Sequence, residues 1–99
     1  MKLIQKSLLK GTQEFELLDE EIRVRINTFF NKKEFTVTLA TLNPDPVINN
    51  SRLEFYGRVK CAPVISLYLN KPNASEFNGF VDALRQKALK EFNAFAGIK

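Results

Sequence analysis

Apolar residues alternate with polar ones along the first two thirds of the chain and change to a helical period in the last third. Phe15 and Leu17 alternate with Glu14 and Glu16, and Ile22, Val24 and Ile26 alternate with Arg23, Arg25 and Asn27. A period of two puts every second side chain on one face, so these segments predict half-buried strands joined by a tight turn at Asp19-Glu20. Phe35, Val37 and Leu39, interleaved with Thr36 and Thr38, predict a third strand joined through Asn31-Lys32-Lys33. Lys2 to Leu9 fits a strand or an amphipathic turn, and the strand is the preferred reading. Asn43-Pro44-Asp45-Pro46 then interrupts the sheet, because proline has no ladder donor and restricts its predecessor. Val47-Ile48 predicts a very short edge strand. Leu53 and Phe55, then Ile65, Leu67 and Leu69 beyond Gly57 and Pro63, predict another hairpin.

From Ala74 the period lengthens. Phe77, Phe80, Val81, Leu84, Ala88, Phe92 and Phe95 share one helical face, opposite Arg85, Gln86, Lys87, Lys90 and Glu91. Asn73 followed three residues later by Glu76 is a variant capping box, and Gly97 is a C-terminal stop signal. The fold expected is α+β: a curved antiparallel sheet or partly open barrel of six to seven strands, capped by one amphipathic helix from about Ala74 to Ala96. With 99 residues, the chain is expected to be a single domain.

Composition narrows the chemistry. The chain has no His and one Cys, Cys61, so neither a Ser-His-Asp triad nor a Cys-His pair can form. One thiol cannot close a tetrahedral zinc shell or an internal disulfide. Cys61 stands near Arg58 and Lys60, which favour a thiolate, but no base follows from the sequence, and Asp19-Glu20-Glu21 reads as a solvated turn. No cofactor and no catalytic residue are expected. No signal peptide or transmembrane run is read, and the expectation is a cytoplasmic protein, complete in itself.

The order of elements and three stretches of sequence resemble the pleckstrin-homology-like domains. Phe15-Glu16-Leu17-Leu18-Asp19-Glu20-Glu21-Ile22-Arg23-Val24 is similar to the family's second strand, turn and third strand. Ser66-Leu67-Tyr68-Leu69 is similar to its last strand, and Ser75 to Leu84 to its closing helix. The usual helix tryptophan is absent, with Phe77 or Phe80 in its place, and the helix runs longer. The basic pattern of the lipid-binding members is missing, since Lys10 is followed by Glu14 and Glu16, and no lipid-binding residue carries over. The resemblance implies a stand-alone, bacterial-type member that binds or assembles rather than catalyses.

The net charge is +4, and all of the excess lies beyond residue 50, where eight Lys/Arg face four Asp/Glu. If hairpin turns alternate between two ends, Lys10-Gly11-Thr12, Asn31-Lys32-Lys33 and Arg58-Val59-Lys60 share one rim, opposite Asp19, Glu20 and Glu21. Lys10, Lys32, Lys33, Arg58 and Lys60 are then candidate ligands for a phosphate-bearing anion, a lipid headgroup or nucleic acid. The competing reading is ordinary solvated turns. Nucleic acid on the sheet face, through Arg23, Arg25, Arg52 and Tyr56, competes with cross-strand ion pairs to Glu14, Glu16 or Glu54, and the pairs are preferred. Phe92 and Phe95 extend the helical stripe past the length that a small barrel covers, which points to a protein partner or a homodimer. Protein contacts or self-association are the first expectation, and the anion is the alternative.

Overall fold

The computed structural model describes residues 1–7, 10–58 and 63–96, the last two by backbone alone. Lys60, Cys61 and Gly97, and the side chain of Phe95, lie outside the described residues. The fold is α+β, with seven antiparallel strands in two sheets and one C-terminal helix. Strands β1 (Lys2–Ser7), β2 (Gly11–Leu17), β3 (Glu21–Asn27) and β4 (Lys32–Thr38) pair consecutively in the first sheet. Strands β5 (Val47–Asn49), β6 (Arg52–Tyr56) and β7 (Pro63–Tyr68) make the second, and the helix α1 spans Ala74–Ala96.

The expected single curved sheet is thus divided. Two features account for the break. The third predicted strand stops at Thr38, and Leu39, expected within it, opens a short 3-10 turn, Leu39–Thr41, whose first N–H is taken by Glu20 O at 2.9 Å. The chain then joins the second sheet, where Leu42 bridges Gly57 and Asn43 N donates to Tyr56 O at 2.8 Å. Pro44 and Pro46 follow, and neither can donate to a ladder.

Register puts one set of side chains inside. Phe15 lies opposite Leu3 and Val24, Ile22 opposite Leu17 and Val37, and Leu53 opposite Leu67. Helix residues Phe77, Phe80, Val81, Leu84 and Ala88 close the core, each buried. The Phe80 ring meets Phe15 at 6.4 Å between centroids, tilted by 53°, an arrangement that aromatic quadrupoles favour. The predicted cap is present: Asn73 Oδ1 accepts from Glu76 N at 2.9 Å, and Asn73 Nδ2 donates to Glu76 Oε2 at 2.8 Å.

On the other flank no backbone ladder joins β1 to β7 among the described residues. A side chain substitutes for it. Gln5, fully buried, donates from Nε2 to Tyr68 O at 2.7 Å and to Lys71 O at 2.9 Å, while its Oε1 accepts from Tyr68 N at 2.8 Å. One amide thereby satisfies three backbone groups that an unpaired seam would leave without partners.

Candidate binding end

The strands divide the molecule into two ends of different chemistry. At one end lie the β1–β2 connection, the β3–β4 turn and the β5–β6 turn. The last of these uses Asn50 and Ser51 at φ 51° and 65°, the left-handed pair of a tight hairpin. Gly11, at φ 85°, belongs to this end too: a Cβ there would collide with the Asn27 carbonyl oxygen, so glycine lets β2 pass close to β3. At the other end lie Asp19-Glu20, the 3-10 turn and Arg58. Lys87 Nζ reaches Asp19 Oδ1 there at 3.4 Å.

Several cations stand at the first end. Lys10 precedes β2, Lys32 and Lys33 open β4 rather than the turn before it, and Arg52 opens β6. Lys33 Nζ lies 5.4 Å from the Phe35 ring centre. Arg52 is fixed more firmly: its Nε donates to Ser66 Oγ at 2.6 Å and its guanidinium lies 4.7 Å from the Tyr68 ring centre. The open cleft between the sheets is lined by Lys10, Gln13 and Ile26 of the first sheet side, Arg52 and Tyr68 of the second, and Thr28, Phe29 and Phe30 at its lip. None of these is acidic.

The lip is the feature that sequence reading missed. Thr28 N donates to Asn31 O at 2.8 Å, which closes a hairpin with Phe29 and Phe30 at its two central positions. Their rings are 82% and 99% exposed, with centroids 6.5 Å apart. Turn centres are ordinarily Gly, Asn, Asp or Pro, and neither phenylalanine gains burial here. That mismatch between residue type and position is the signal that was legible: two phenylalanines sit in the gap between Ile26 and Asn31.

Arg58 does not join the basic end, contrary to the expectation of a shared rim. Its N–H donates to Thr41 O at 2.9 Å, its Nη1 to Ala40 O at 3.4 Å, and its guanidinium lies 4.3 Å from the Phe92 ring centre. The reason is parity. Val47–Asn49 crosses the molecule as a strand of its own, so Arg58, just past β6, lies with the even-numbered turns at the end of Asp19. Phe92 is half-buried beneath Arg58, so it is not the open apolar surface the helical stripe suggested.

The sheet face is laced with ion pairs. Arg25 Nη1 meets Glu14 Oε2 at 2.8 Å, Arg25 Nε meets Glu34 Oε1 at 3.0 Å, and Arg23 Nη1 meets Glu16 Oε1 at 3.4 Å. The hydrogen bond to Glu34, then that to Glu14, holds the Arg25 guanidinium above its ordinary value. Arg23, Arg25, Arg52 and Tyr56 are not brought together: Arg52 lies at the basic end of the second sheet, and Tyr56 at the far end of the same strand. No group of three or more metal-ligating side chains occurs among the described residues, and no helix among them is long and apolar enough to cross a membrane. No protein-family profile, curated protein or solved structure matches the chain.

Proposed function

We propose that this chain is a pleckstrin-homology-like module that binds rather than catalyses, and that it takes a phosphate-bearing anion at the end carrying Lys10, Lys32, Lys33 and Arg52. A meander of four strands, a second group of three and a closing helix that anchors Phe80 on Phe15 support the family reading. The observation that carries the binding reading is the cleft between the sheets, which Lys10 of one side and Arg52 of the other line together with Gln13 and, among the described residues, no carboxylate. Phosphate oxygens are well served by such a set, because Arg supplies a planar fork of donors and Lys a mobile point charge. Arg52, already braced on Ser66 and Tyr68, loses little freedom on binding.

An amide chemical-shift titration with inositol hexakisphosphate at low and moderate salt tests this. Saturable, salt-sensitive shifts at Lys10, Lys32, Lys33 and Arg52 are expected, and Lys10→Gln with Arg52→Gln should lower the affinity at least about tenfold. Shifts centred on Arg58, or an unchanged affinity in the double variant, would overturn the assignment. A short single-stranded RNA that moved Arg23 and Arg25 instead would favour nucleic acid on the sheet face.

A further inference from the structure

The anion reading leaves Phe29 and Phe30 unexplained. At 82% and 99% exposure they are the most exposed large apolar side chains among the described residues, and they are adjacent. They occupy the centre of a two-residue turn, where their type helps neither the backbone nor the core. A soluble surface that tolerates isolated apolar residues rarely concentrates two phenyl rings on its outermost point without use for them. Their surroundings narrow that use. Lys32 and Lys33 stand opposite Asn27 and Ile26 on the same hairpin, and Lys10 and Arg52 flank it from other elements, so the cations form a collar set back from an apolar point. The nearest acidic residue of β4, Glu34, is taken up by Arg25 at 3.0 Å.

We infer that this end docks on an anionic lipid bilayer, with Phe29 and Phe30 entering the interfacial region and Lys10, Lys32, Lys33 and Arg52 meeting the phosphates. The inference rests on the anion reading above and gives that anion its source. A bilayer presents negative charge at its surface and apolar chains a few ångströms beneath, the same order in which this end presents its collar and its point. Phenyl rings have no polar atom to leave unsatisfied when they enter. A second copy of the chain fits less well, since a symmetric contact through the tip would bring like charges together.

The chain has no Trp, so Phe30→Trp places a single indole at the tip as a reporter of depth. Vesicles of phosphatidylcholine with phosphatidylglycerol should shift its emission to the blue and, with brominated acyl chains, quench it; phosphatidylcholine alone should do neither. In flotation, Phe29→Ser with Phe30→Ser should lower partition into the anionic vesicles at least about tenfold, with the melting temperature unchanged. Equal partition of wild type and double variant, with the indole left in water, would overturn insertion while sparing the anion reading. Inositol hexakisphosphate binding without vesicle binding would do the same. Failure of both probes would overturn both readings. Concentration-dependent sedimentation abolished by the double variant, without flotation, would reassign the tip to contacts between protein chains.

Discussion

Single residues decide matters here that their neighbours do not. Gln5 is the clearest case, because it follows Leu3 on the inward side of β1, where an apolar residue is usual. The structure commits its amide to Tyr68 and Lys71. Replacing it with leucine would preserve volume but strand the Tyr68 N–H and two carbonyls in a dry seam, a cost of about 2–4 kcal/mol. Denaturant titration of Gln5→Leu should show that loss, and Gln5→Glu should be no better near neutral pH, since a carboxylate cannot donate to the two carbonyls. A cost below about 0.5 kcal/mol would mean that water enters the seam freely. None of this was legible from the sequence, because the backbone partners of Gln5 lie more than sixty positions away. Phe29 and Phe30 were legible in principle: their side-chain type contradicts their position, which a reading by core spacing passes over.

Elements were easier to read than their joins. The helix was legible to its bounds because a stripe of period 3.6 and a local cap both depend on near neighbours. The cap is also testable alone. Asn73→Ala removes the acceptor for Glu76 N and frees the Glu76 carboxylate, so the helix should lose about 1 kcal/mol, read as a lower melting temperature. Hydrogen exchange should rise first at the amides of the first turn, whereas a uniform rise would show that the helix opens only with the whole molecule. The strand ends were less legible. Leu39 alternates correctly with Thr38, yet its N–H goes to Glu20 O, which turns the chain and buries Leu39 completely. Tertiary packing thus set where β4 ends, while the separate crossing of β5 put Arg58 away from the basic end.

At the scale of the whole molecule, the strands hold two charged ends apart. A seven-residue strand rises roughly 23 Å, and at physiological ionic strength the screening length is about 8 Å. The acidic turn of Asp19, Glu20 and Glu21 should therefore repel an approaching anion only when salt is low. Asp19→Asn, Glu20→Gln and Glu21→Gln together should speed and strengthen inositol hexakisphosphate binding in a buffer of about 10 mM ionic strength, where the screening length is about 30 Å, and leave it nearly unchanged at about 150 mM. The ion pair from Lys87 to Asp19 would be lost, but its carboxylate is fully solvated, so little stability goes with it. An effect of the triple variant that persists at the higher ionic strength would mean that the anion binds near the acidic turn. That result would put the anion beside Arg58 and Phe92. A salt-limited effect, with the response to Lys10→Gln and Arg52→Gln kept at both ionic strengths, would instead place attraction at one end and leave the other as a distant field.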